Sequence, residues 1–144
     1  MKLITRDTDY ALRSLIYIAA KKNKITSVTE LVRKIKIPRP FLRKLLQRLN
    51  KEGILKSSKG RNGGFILAQE PKKIYLAQLI EIFQGGLKLN ECLFKKRPCP
   101  ESGICPLNKI IENIEKDVVS KLSSITVASL LLQFKRAGMD EEKI

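Results

Sequence analysis

Apolar positions recur at helical spacing over several separate stretches of the chain, and each stretch is bounded by residues that start or stop helices. Leu12, Leu15, Ile16 and Ala19 predict a first helix from about Asp7 to Lys22, with Asp7 and Asp9 in its opening turn. Ser27 followed by Glu30 reads as a capping box ahead of a short second helix carrying Val28, Leu31, Val32 and Ile35 and ending near Lys36. Pro38 and Pro40 then break the chain. Pro40 suits a first helical position, so a third helix follows with Leu42, Leu45, Leu46 and Leu49 inward and Gly53 as its stop. The runs ILKSS and GFILA predict two short strands around KGRNG, where Asn62-Gly63 supplies residues that tolerate positive φ in a hairpin turn. Beyond them, Leu76, Leu79, Ile80 and Phe83 predict a helix over Ile74 to Phe83, ending at Gly85-Gly86. After Pro106 a longer helix runs to about Leu122, with Leu107, Ile110, Ile111, Ile114, Val118 and Leu122 in one stripe. A last apolar patch, Val127 to Phe134, is expected to fold back on the body, with a solvated tail after it.

These elements define a mainly α chain with a small β wing: a winged helix-turn-helix over residues 1–75, then residues 76–144 holding a cysteine-bearing loop and a long helix, in one compact domain overall. The 144 residues with 43% hydrophobic content suffice for such a core. The stripe after Pro106 is longer than a small domain usually buries, which points to a homodimer seam, since helix-turn-helix proteins act as symmetric dimers on palindromes. No apolar run approaches the length of a membrane span, and the charged N-terminus does not resemble a signal peptide, so a soluble cytoplasmic protein is expected.

Charge sharpens the picture by where it sits. Residues 1–75 hold 19 Lys/Arg against 5 Asp/Glu, whereas the remainder holds 10 against 9. Charge segregated in this way fits a polyanion, because each neutralised phosphate releases condensed counterions. The third helix carries Arg39, Arg43, Lys44, Gln47 and Arg48 on its outer positions, and the predicted wing tip carries Lys59 and Arg61. These seven residues are the candidate contacts to a double-stranded DNA operator. The absence of histidine and of a phosphate-binding G-x-x-x-x-G-K loop leaves no recognisable enzyme site.

All three cysteines, Cys92, Cys99 and Cys105, fall in the stretch ECLFKKRPCPESGIC. Its prolines, glycine and cations favour irregular backbone and oppose the charge of thiolates, as a cluster-ligating loop requires. Zinc is the alternative metal, although zinc sites more often pair cysteines as C-x2-4-C. A cluster-free thiol sensor and a small electron-transfer protein are further readings of the cysteines, and the latter leaves the helix-turn-helix unexplained.

Taken together, DYALRSLIYIA, IPRPFLRKLLQRLNKEGIL, SSKGRNGGFILA and the spaced cysteines followed by Pro-Leu resemble the winged-helix iron-sulfur transcriptional regulators that include IscR, NsrR and RirA. The resemblance spans nearly the whole chain. It implies a homodimeric transcription factor in which an iron-sulfur cluster on Cys92, Cys99 and Cys105 sets operator affinity in response to nitric oxide, iron or redox state. The histidine of the IscR-like branch would fall at Asn108, and an amide is a poor replacement. Similarity to the NsrR-like branch implies instead a carboxylate from the first helix of the other subunit, Asp9 here, and a [4Fe-4S] rather than a [2Fe-2S] cluster. Asp7, Glu91 and Glu101 are the other carboxylates in reach of that role.

Overall fold

Thr5 caps the first helix, its hydroxyl accepting the Thr8 N–H, so that α1 (Arg6–Ala20) begins one residue before the expected Asp7. The computed structural model of the chain describes residues 2–89 and 105–138. Leu15, Ile16, Tyr17 and Ile18 are consecutive and all buried, so the C-terminal half of α1 is enclosed on several sides rather than on one face. It touches every layer of the core, packing on α2 (Val28–Ile35), α3 (Arg39–Lys51), α4 (Leu76–Gln84), α6 (Val127–Arg136) and strand β2 (Gly64–Leu67).

The α2 start is capped by Ser27, whose hydroxyl accepts the Glu30 N–H at 3.1 Å. Only this half of the expected capping box forms. The Glu30 carboxylate turns instead to α1, accepting from the Tyr17 hydroxyl at 2.7 Å and pairing with Lys21 at 2.8 Å. Two partners on another helix outweigh one local N–H. Helix α3 has Arg39 and Pro40 as its first residues and closes with the two hydrogen bonds of a Schellman turn, Gly53 N–H to Asn50 C=O and Ile54 N–H to Leu49 C=O. Gly53 takes φ +71° there, and Leu49 and Ile54 are both fully buried.

Strand β1 (Leu55–Ser58) pairs antiparallel with β2, Leu55 opposite Leu67 and Ser58 opposite Gly64. The hairpin forms where it was expected, but its turn differs. Gly60, at φ +108°, supplies the left-handed residue, and Asn62 and Gly63 do not. The Gly63 N–H closes back on the Gly60 carbonyl, so the bend falls between those glycines. Gly63 and Gly64 are required for space instead: a Cβ would lie 2.4 Å from the Ser58 carbonyl oxygen in the first case and 2.2 Å from that of Thr26 in the second. Thr26 pairs with Phe65 through two backbone hydrogen bonds of 2.9 Å, which draws β2 against the approach to α2.

A 3-10 turn at Pro71–Lys73 leads to α4. Ile74 and Tyr75, predicted as helix, are extended, because Tyr75 bridges to Thr126 and the flanking N–H groups of Leu76 and Val127 bond Ile125 and Ile74. Among the described residues, helix α5 (Pro106–Ser123) packs its apolar side chains on the body at its C-terminal end, where Leu122 and Val118 join Leu76, Ile80, Leu12 and Ile4. Thr126 and Ser129 form a reciprocal capping box at the start of α6, whose Val127, Leu130, Leu131 and Phe134 complete the main core as the sequence suggested. No helix among the described residues is long and apolar enough to cross a membrane.

Candidate nucleic-acid interface

Helix α3 and the β1–β2 wing face each other across a concavity of about 680 Å³. Five of the seven basic and polar candidates line it: Arg39, Arg43 and Gln47, on successive turns of α3, and Lys59 and Arg61 from the wing tip. Among the described residues no carboxylate lines the concavity, and none of its four cations is engaged in an ion pair. Four uncompensated cations around an open groove attract phosphates and leave their donors available to base edges.

Two hydrogen bonds position the elements that border the groove. Asn50, in the last turn of α3, accepts the Ser57 N–H of β1 at 3.1 Å through its side-chain oxygen. The Arg39 guanidinium donates to the Thr29 hydroxyl of α2 at 2.6 Å, which aims the start of α3. Ser27, Thr29, Asn50 and Ser57 all border the groove and were not expected there from the sequence: Thr29, Asn50 and Ser57 are placed by contacts to other elements, and Ser27 by its place as the α2 cap. Lys44 and Arg48 are exposed on α3 but do not line the concavity. Arg48 lies with its guanidinium 5.5 Å from the centroid of the Phe83 ring, a cation–π contact that ties α3 to α4.

Cys105 is the N-cap of α5 and is partly exposed, so its sulfur stands at the positive end of an 18-residue helix. Cys92 and Cys99 lie outside the described residues, as do Glu91 and Glu101. Among the described residues no three His, Cys, Asp or Glu side chains assemble into a metal-binding group. The chain leaves the body on one side of the cysteine stretch with the Leu89 N–H bonded to Glu115 of α5 at 2.9 Å, and returns at Cys105 on the same helix. Asn108 does not reach back towards Cys105; its amide donates to Glu112 at 2.6 Å. Asp9 is partly exposed near the start of α1 and accepts from Arg13 at 2.9 Å, while Thr5 and Thr8 of the same end bond the Gln84 side chain at the end of α4.

A three-helix core with a recognition helix, a two-stranded wing and a cationic groove between them defines a winged-helix DNA-binding regulator. Residues 4–133 match the Rrf2 family, described as iron-dependent transcriptional regulator, and the chain belongs to that family. Its members are regulators rather than enzymes. The regulator NsrR of Shouchella clausii is 32% identical over 131 residues, 90% of this chain and 88% of its own. Among solved structures, CymR, the global cysteine regulator of B. subtilis, aligns with a TM-score of 0.76 at 25% identity over 92% of this chain and 98% of its own. T. potens IscR aligns at 0.73 and 25% identity, over 97% and 93%. The mainly helical fold with a small antiparallel wing is common to them.

Proposed function

We propose that this transcriptional regulator binds its operator as a homodimer and that an iron-sulfur cluster on Cys92, Cys99 and Cys105 sets its affinity. Residues 1–75 read the DNA, through Arg39, Arg43, Gln47, Lys59 and Arg61 in the groove with Lys44 and Arg48 beside them. Residues 76–144 carry the sensor and the seam. The observation that carries the dimer is the apolar stripe of α5: Leu107, Ile110 and Ile114 are 63%, 57% and 50% exposed, while Leu122 at the other end of the helix is 8% exposed. A helix that buries one end and presents three large aliphatic side chains at the other is suited to pairing with its own copy.

The donor set fits a cluster. Three thiols and one carboxylate give four ligands without imidazole, and Cys105 brings its sulfur to a helix N-terminus, which favours the negative charge of a thiolate-ligated centre. Asp9 of the other subunit is the carboxylate of choice; its Oδ2 accepts from Arg13, and its other oxygen would be the one to ligate iron. When bound, the cluster supplies redox and ligand-exchange chemistry, with [4Fe-4S] preferred over [2Fe-2S]. Because Leu89, ahead of the cysteine stretch, is bonded to Glu115 of α5 and Cys105 caps the same helix, a change in ligation would act directly on the helix that would space the two reading heads.

A second reading follows from the likeness to a cysteine regulator: the same fold working without a cluster. Anaerobic purification separates the two. Iron and sulfide in equal amounts with a brown chromophore support the cluster; Asp9→Ala should then shift the visible spectrum and Asp7→Ala should not. Protein that carries neither iron nor sulfide, or one zinc per subunit without sulfide, overturns it.

A further inference from the structure

A second concavity, of about 460 Å³, lies on the far side of the α2 N-terminus from the reading groove, and the two share Ser27 and Thr29 as a common ridge. Its wall carries Lys21 from the end of α1 and Arg33 and Lys34 from the last turn of α2. Among the described residues Glu30 is the one carboxylate of the bay, and it is already committed: Lys21 pairs with it at 2.8 Å, the Tyr17 hydroxyl donates to it at 2.7 Å, and the Lys21 ammonium lies 5.3 Å from the Tyr17 ring centroid. The floor is therefore close to neutral. Arg33 and Lys34 are left as cations with no ion pair among the described residues.

We propose that this bay is a second phosphate-binding site, which grips the DNA backbone flanking the half-site read by α3. The inference rests on the DNA-binding reading of the groove and adds to it a contact on α2 and α1. In helix-turn-helix docking the helix before the recognition helix crosses the backbone of the duplex. A strand that passes the Ser27–Thr29 ridge from the reading groove enters the bay next, at a point where two free cations face it. The site reads no bases: ammonium and guanidinium groups that meet phosphate oxygens position a duplex without reporting its sequence.

The test uses the full chain and a mixed-sequence duplex of 30 base pairs, titrated by fluorescence anisotropy over a series of salt concentrations. The double variant Arg33→Gln/Lys34→Gln should lower the slope of log affinity against log salt by about 1 for each phosphate that the bay no longer neutralises. The control Lys135→Gln/Arg136→Gln, at the end of α6, removes the same charge and should leave the slope at the wild-type value. Equal slopes for the two variants, or no change for the bay variant while its melting temperature stays at the wild-type value, overturns the proposal. A sequence selected in vitro by the wild-type protein from a random pool provides the second readout. The bay variant should select the same sequence, and a changed preference would show base contact instead and overturn the assignment. Failure of the wild-type protein to select any sequence would count against the regulator reading alone, because the salt slope on mixed-sequence DNA does not depend on it.

Discussion

Replacing Gly64 with alanine tests how the wing is fixed to the body. Its φ lies outside the left-handed region, so the added Cβ costs nothing in conformation and everything in space. That atom would fall 2.2 Å from the Thr26 carbonyl oxygen and 2.7 Å from the carbonyl carbon, both backbone atoms that cannot rotate away. Relief requires β2 to retreat from Thr26 by about 1.2 Å or more to reach an ordinary contact distance. The two hydrogen bonds between Thr26 and Phe65, now 2.9 Å each, would then exceed any useful length. At about 1 kcal/mol for each bond, with a further loss where Phe65 shifts from the core, the total is ~2–4 kcal/mol. For a chain of this size that corresponds to a fall in melting temperature of about 5–15 °C. Hydrogen exchange gives the sharper signature: the Thr26 and Phe65 amides should lose protection, while those of α1 retain it relative to the new global stability. DNA affinity should fall as well, because Lys59 and Arg61 ride on the displaced hairpin. Wild-type melting together with wild-type amide protection in Gly64→Ala would refute the reasoning.

In the reading groove, Arg43→Ala should relax sequence preference at a cost of about 1–3 kcal/mol, whereas Lys59→Ala should weaken all duplexes alike and reduce the salt slope by about 1, both measured by anisotropy on selected and scrambled duplexes. Ile114→Asp on the exposed stripe of α5 should convert a dimer to monomer in sedimentation velocity while far-ultraviolet circular dichroism stays unchanged; a dimer that persists would remove α5 from the seam. The Lys21 ammonium and the Tyr17 hydroxyl hold the Glu30 carboxyl below the usual glutamate range, so Glu30 stabilises the fold above about pH 4.5 and that contribution is lost as pH falls through the lowered folded value. The same contact raises the Lys21 ammonium above its ordinary range, a contribution present below about pH 10.5 and lost as pH rises beyond it. Glu30→Gln should therefore flatten the acid limb of a stability-versus-pH curve, and an unaltered limb would show that the triad does not contribute.

Local signals were legible where they were sufficient. The apolar periodicity of α3, the prolines before it and Gly53 after it placed that helix within a residue, because its boundaries are made by its own backbone. The stripe on α5 was equally plain, although the sequence could not show that, among the described residues, its Leu122 end is the one buried against the core. What escaped reading depends on contacts distant in sequence. Glu30 looks like the partner of Ser27 until Tyr17 and Lys21 are brought beside it. Asn62-Gly63 carries a strong hairpin signal, yet the strands are joined by a five-residue loop in which Gly60 takes the left-handed position and Gly64 is small because Thr26 passes over it. Arg48 resembles its neighbours on α3 in composition and differs only in having Phe83 within reach. Of the candidate ligands, Cys105, Asp9 and the alternative carboxylate Asp7 fall among the described residues, and Cys92, Cys99, Glu91 and Glu101 do not.

The tie between Asn50 and Ser57 joins the reading helix to the wing, and the Thr26–Phe65 pairing joins the wing to the approach to α2. Both links resist splaying, so each head would meet DNA as a caliper of nearly set opening. If two such heads pair as proposed, each caliper reads the bases of its own half-site and the signal acts on the phase between them, so that inserting a single base pair between half-sites, which rotates one by about a tenth of a turn, would weaken binding even where every base within both half-sites matches.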